Sequence, residues 1–223
     1  MKKYIILGMV SLLMSSCAEQ VTRLAQYPKM YEEKPLTIAV MPPINQTNFV
    51  EAKDYFYTTL YAPLCEKGYY VYSPMMTMEM FQSESAYDAE QFIDADLSQF
   101  RNVLGADAAM FTIIKSWKRN KIGGKLTAGV EYILRSTKTG ETLYKREGLI
   151  SVDTSVNAGN SGWGALVSLA ATALNTAATD KVVAGRRCTV FVLSDMPEGK
   201  YGTKYDQDQN LPAGKSYVKG TVK

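Results

Sequence analysis

The sequence predicts an α/β domain: a single mixed sheet with helices packed on it and an extended C-terminal tail. Three observations predict it. Residues 36–73 read as strand, helix and strand in succession, and residues 126–152 read as an antiparallel hairpin. A chain of 223 residues is also long enough to bury one substantial core.

Leu36-Thr37-Ile38-Ala39-Val40-Met41 is a compact apolar, β-branched run stopped by Pro42-Pro43, the pattern of a strand covered on both faces. Asn45-Gln46-Thr47-Asn48 then forms a polar loop at the carboxyl end of that strand, where open α/β sheets tend to bind ligands. From Glu51 the period becomes helical. Phe56, Leu60 and Leu64 share one face, with Tyr57 and Tyr61 beside the stripe. Pro63 removes a backbone donor and crowds the preceding turn, which predicts a kink or an early end, and Gly68 supplies the stop. Tyr69-Tyr70-Val71-Tyr72 is the second strand; if it lies parallel to the first, the crossover is right-handed.

Ser73-Pro74 opens a helix over 75–82, and a further helix over Leu97–Leu104 ends at Gly105. Ala108 to Trp117 is a long apolar stretch. Strands over Leu126–Leu134 and Thr142–Val152 follow, joined by the turn Thr137-Lys138-Thr139-Gly140. Val130, Tyr132 and Leu134 alternate with Glu131, Ile133 and Arg135, which predicts a half-exposed strand. The apolar segment Gly162–Leu174 is too short to cross a bilayer, which needs roughly 20 residues, and reads as a core helix. Residues 180–194 have strand propensity at Cys188-Thr189-Val190-Phe191-Val192 and helical spacing through Val183, Arg187, Val190 and Ser194; a helix is favoured. Asp195 to Lys223, rich in Gly, Pro, Tyr and charge, reads as a tail or a strap across the domain.

At the front of the chain, Lys2-Lys3 precede an apolar run, Tyr4 to Leu13, of secretory h-region length. The run ends in Met14-Ser15-Ser16-Cys17, which resembles the lipobox of bacterial lipoproteins, although Met14 stands where the pattern usually has Leu. The resemblance implies cleavage before Cys17 and acylation of its thiol and amino group, an anchor that several acyl chains make essentially permanent. Ala18, where an inner-membrane retention signal would have Asp, favours the outer membrane. The expected organisation is a signal peptide over 1–16, a lipidated tether over 17–35, an α/β domain over 36–194 and a tail over 195–223.

Removing residues 1–16 takes away Lys2 and Lys3 and leaves 23 basic against 22 acidic residues, a balance that offers no nucleic-acid surface. The chain has no histidine, which removes the usual general base of Ser and Cys nucleophile sites and the commonest metal ligand. Beyond Cys17 only Cys65 and Cys188 remain, without the spacing of a zinc or thioredoxin-like motif. They can pair as a disulfide or stay as two buried thiols, and the second is favoured. No cofactor, metal or catalytic residue is expected.

The segments Leu60-Tyr61-Ala62-Pro63-Leu64-Cys65-Glu66-Lys67-Gly68-Tyr69-Tyr70-Val71-Tyr72-Ser73-Pro74, Leu104-Gly105-Ala106-Asp107-Ala108 and Thr137-Lys138-Thr139-Gly140-Glu141-Thr142-Leu143 resemble a family of bacterial lipoproteins of undefined function. Met196-Pro197-Glu198-Gly199-Lys200-Tyr201-Gly202 is similar to that family's tail. The resemblance implies a fold like the N-terminal domain of TolB and the periplasmic part of the curli secretion lipoprotein CsgG. It also implies a neighbouring CsgG-like lipoprotein as partner. It brings no catalytic residues.

The function expected is therefore a lipid-anchored binding or assembly module that contacts other envelope lipoproteins, with self-association as a further contact. Tyr57, Tyr61 and Tyr201 are the candidate contact residues, because Tyr combines area with a polar edge; core packing is the competing reading for the first two. The alternatives are a regulator of a periplasmic enzyme such as a peptidoglycan synthase, or an enzyme using Asp94, Asp96 or Asp107. Asp107 reads more simply as a loop residue that caps a strand.

Overall fold

Apolar, β-branched runs supply the strands of one mixed sheet in a computed structural model that describes residues 20–83, 89–120, 125–153 and 179–222. Strands β1 (Thr37–Val40), β2 (Ile44–Asn45), β3 (Tyr70–Val71), β4 (Ala108–Asn120), β5 (Lys125–Ser136), β6 (Thr142–Asp153) and β7 (Tyr217–Val222) form seven strands in the order β3-β1-β4-β5-β6-β7, with β2 paired to β4. Helices α1 (Arg23–Gln26), α2 (Pro28–Glu33), α3 (Ala52–Glu66), α4 (Pro74–Ser83), α5 (Ser98–Leu104) and α6 (Thr179–Val192) accompany them. This is the mixed α/β class that the sequence predicts. The signal segment, Cys17 and the apolar stretch Gly162–Leu174 lie outside the described residues.

The middle of the chain builds the centre of the sheet, β4 to β6, and the earlier and later strands flank it. β1 pairs in parallel with β3 and with β4, as the strand, helix, strand unit requires. β4, β5 and β6 are antiparallel, and β7 adds in parallel to β6. Alternation along the central strands feeds two cores. Ile38, Val40, Met110, Val130, Tyr132 and Leu134 pack under α3 and α6 with Phe56, Leu60, Leu64 and Cys188. Met41, Phe111, Ile113 and Ile133 pack on the other face with Phe81 and Leu97.

Four expectations need correction. β5 is covered on both faces rather than half-exposed: Ile133 joins the second core, and Glu131 is buried between Lys115 at 2.9 Å and Lys145 at 3.0 Å. Burial alone would raise the Glu131 pKa, but the two ammonium groups outweigh it and hold the carboxyl below its usual value. Of the kink or early end expected at Pro63, the early end does not occur: Pro63 sits in the last turn of α3, and the helix continues to Glu66. Residues 22–35 are not a tether: Tyr27 and Met30 enter the main core. The extended tail expected from residue 195 onward gives way to the strap alternative, since the segment carries the buried Asp195 and Asp208 and ends as β7.

Buried tyrosines carry much of this architecture. Burial raises the phenol pKa of Tyr27, where the nearby Asp195 carboxylate adds to the effect, and raises those of Tyr69, Tyr132 and Tyr144. Folded, these groups keep their protons above the ordinary value of 10.0, at which the unfolded chain releases them. The unfolded state therefore binds fewer protons above pH 10, and stability falls as pH climbs. Below pH 10 the contribution is fully present. Phenolate absorbance measured during an alkaline titration should show one set of tyrosines ionising normally and a second set only on unfolding.

Candidate partner-binding face

The carboxyl end of the parallel strands is filled rather than open. Asn45 at the end of β2 folds the following loop onto itself: its Oδ1 accepts from the Thr47 amide at 3.0 Å and from Thr47 Oγ1 at 2.8 Å, and its Nδ2 donates to the Phe49 carbonyl at 2.9 Å. Beyond it the rings of Phe49 and Trp117 stack nearly parallel at 5.8 Å, and Tyr55 joins them at 5.8 Å from Trp117. The Lys181 ammonium lies 4.9 Å above Phe49. Asn45 and Thr47 thus satisfy one another within the loop.

Two of the three acidic candidates are likewise occupied. Asp96 accepts from the Ser98 amide and hydroxyl, which holds its pKa below the usual carboxylate value. Asp107 Oδ2 accepts from the amides of Leu36 and Thr37 at 3.0 and 3.1 Å, so it caps the start of β1. Asp94 is exposed. Among the described residues no group of three or more Cys, Asp or Glu side chains is placed to hold a metal. A cleft of about 310 Å³ beside Asp107 is lined by paired charges: Lys29 bridges Glu32 and Glu141, each at 3.1 Å, and Arg101 meets Asp107 at 3.4 Å.

The tyrosines divide. Tyr57 is 4% exposed; its hydroxyl donates to the Pro74 carbonyl and pairs with Thr77, so the contact expected there is replaced by packing between α3 and α4. One turn on, Tyr61 is 41% exposed and interacts with the Cys65 thiol beside Tyr70. Tyr70 is 55% exposed, and its ring meets that of Tyr72 edge-on at 5.6 Å. Tyr201, 68% exposed, rides on a strap whose backbone is bonded to Gly68. The sheet edge at β3 thus presents an aromatic surface. Tyr70 and Tyr72 read from sequence only as strand residues, although alternation in a strand at the sheet edge leaves one face outside.

Cys65 and Cys188 are both free thiols, so they form no disulfide. Nor are both buried: Cys188 faces the core from α6, where burial pushes its thiol pKa up, while Cys65 is half-exposed on the Tyr61 side of α3.

Residues 25–198 match the family described as "Putative lipoprotein GNA1162-like". The chain belongs to the GNA1162-like family. That membership associates this GNA1162-like chain with the bacterial cell envelope. It is 27% identical over 183 residues to "Putative lipoprotein NMB1124/NMB1162" of Neisseria meningitidis serogroup B (strain ATCC BAA-335 / MC58), covering 80% of this chain and 84% of that one. Among solved structures, lipoprotein GNA1162 from Neisseria meningitidis matches 65% of this chain and 99% of its own at 22% identity, with a TM-score of 0.49. The PelC dodecamer from Paraburkholderia phytofirmans matches 75% of this chain and 91% of its own at 13% identity, with a TM-score of 0.39.

In this GNA1162-like chain the segments that carry the resemblance meet in space. Gly199 donates its amide to the Lys67 carbonyl at 2.9 Å, Tyr201 to Gly68 at 3.0 Å, and the Tyr69 hydroxyl to Pro197 at 2.6 Å. On the other side of the start of β1, the Thr137 amide donates to the Asp107 carbonyl at 3.0 Å, and Gly105 closes α5 with a φ of 69°. These residues hold turns and straps in place.

Proposed function

We propose that the protein is an outer-membrane lipoprotein, anchored through Cys17 and facing the periplasm, that acts as a non-catalytic binding or assembly module. Its partner in this reading is a CsgG-like envelope lipoprotein. One observation carries it: Tyr61, Tyr70 and Tyr201 stand exposed at the β3 edge, whereas Asp96 and Asp107 are taken up by capping bonds. Exposed tyrosines offer broad, rigid contact area with a polar rim. Shared confinement at one membrane raises effective concentration, so contacts of modest strength suffice.

A photoreactive group at position 61, 70 or 201 in cells should capture an envelope lipoprotein, while the same group at the buried position 57 captures none. Capture of a periplasmic synthase would replace assembly by regulation. No capture, together with loss of a measurable turnover on Asp94→Asn, Asp96→Asn or Asp107→Asn, would replace binding by catalysis.

The anchor has its own test. Cys17→Ala should abolish lipid labelling and move the protein from the membrane pellet to the soluble periplasm, or leave an uncut precursor. Intact mass of the wild type should show residues 1–16 absent and three acyl chains added. A mature mass without lipid rejects the anchor.

A further inference from the structure

The chain is held to the domain almost from the anchor position onward. The Val21 carbonyl accepts from the Ala213 amide at 2.8 Å, Arg23 donates its amide to Leu211 at 2.9 Å, and Leu24 donates its amide to Gln209 at 3.1 Å. Side chains lock the same segment from beneath: Arg23 to Asp208 at 3.0 Å, Tyr31 to Asp208 at 3.0 Å, and Tyr27 to Asp195 at 2.8 Å. Only four residue steps separate Cys17 from Val21. Fully extended, they span about 14 Å. A domain of this size has a radius of gyration of roughly 16 Å, so the leash is shorter than the domain is wide.

The surface at the end of that leash exposes apolar side chains among uncharged polar ones, and Glu19 of the leash is the acidic residue nearest Val21 in sequence. Val21 is 51% and Leu24 40% exposed, and Ala25 and Pro212 are also exposed beside them. Neither stretch 20–26 nor stretch 209–213 contains an acidic residue. Their one charged side chain, Arg23, is turned inward to the buried Asp208. An anionic lipid surface therefore meets no carboxylate from these stretches.

We infer that the surface of Val21, Leu24, Ala25 and Pro212 rests on the headgroups of the membrane that carries the anchor, so that the domain sits there in one orientation instead of swinging on a tether. The inference rests on lipidation at Cys17. It adds to the proposed function a fixed direction in which the rest of the domain is presented.

The test uses the full acylated protein in vesicles of phosphatidylethanolamine and phosphatidylglycerol, with an environment-sensitive fluorescent amino acid at position 24 or 212. Nitroxide lipids labelled at the headgroup should quench both positions severalfold more in the native chain than in one with a flexible Gly-Ser insertion between residues 18 and 20. Intact mass of the same sample reports the acyl chains. If they are present and neither position is quenched, the orientation is wrong although the anchor stands. If they are absent, the lipoprotein reading itself fails.

Discussion

Asp195→Ala should cost about 3–5 kcal/mol, the usual penalty for removing one partner of a buried ion pair. The carboxylate is saturated. Its Oδ1 accepts from Arg146 at 2.8 Å and the Tyr144 hydroxyl at 3.0 Å, and its Oδ2 accepts from the Tyr27 hydroxyl and the Gly214 amide, each at 2.8 Å. Those donors come from β6, from the segment between α1 and α2, and from the stretch before β7. Truncation removes the acceptor of Tyr27 and Gly214, leaves the Tyr144 hydroxyl only the Val192 carbonyl at 3.1 Å, and leaves Arg146 charged in a buried site, held by the carbonyls of Val192 and Lys215 and the Ser194 hydroxyl. Against a total stability of roughly 5–15 kcal/mol, that brings the protein close to unfolding. Urea denaturation should show a lowered midpoint with an unchanged slope. Arg186→Ala, which breaks the exposed pair with Glu66, should barely move the midpoint. Equal effects of the two substitutions would mean that the Asp195 node holds nothing together.

The second large effect is expected at Gly68. Its φ is +85°, and a Cβ there would lie 2.0 Å from the Gly202 amide nitrogen and 2.5 Å from the Gly202 Cα. The obstacle is backbone and has no side chain to swing away. Gly68→Ala must therefore lift the strap that carries Tyr201 and break its bonds to Lys67 and Gly68. Gly105→Ala is the matched control. Its φ is +69°, but the nearest atom to a new Cβ is 3.7 Å away, so only the backbone cost of about 1–2 kcal/mol applies. Gly68→Ala should lose severalfold more stability than Gly105→Ala, and limited proteolysis should cut first between residues 196 and 205. Equal losses would show that the close approach of Gly68 and Gly202 carries no weight.

Asp195 and Gly68 act on opposite sides of one design. Both tie the chain's last thirty or so residues to elements laid down much earlier, and Asp208 adds a third tie through Arg23, Tyr31 and the Glu198 amide. The segment over 21–31 and the C-terminal strap are therefore parts of the same domain as the tyrosines at the β3 edge.

What the sequence by itself determined were the elements whose cause is local. An apolar, β-branched run places β1, period-3.6 spacing places α3 and alternation places β5, glycines mark the ends of α3 and α5, and the Thr137 to Gly140 turn joins β5 to β6. The mixed α/β class follows from these elements, and the family resemblance from the segments quoted around them. What only the tertiary structure decided depends on partners far along the chain. Residues 22–35 look like a polar tether because their helices are short, yet Tyr27 finds Asp195 at a separation of 168 residues. Glu131 looks solvent-facing because it is charged, yet Lys115 and Lys145 from the neighbouring strands allow its burial. Tyr57 and Tyr61 look alike beside one helical stripe, and only the packing of α4 on α3 buries the first and leaves the second exposed. A polar or aromatic side chain gains or loses its solvent according to what folds against it, and that neighbour is not written in local spacing.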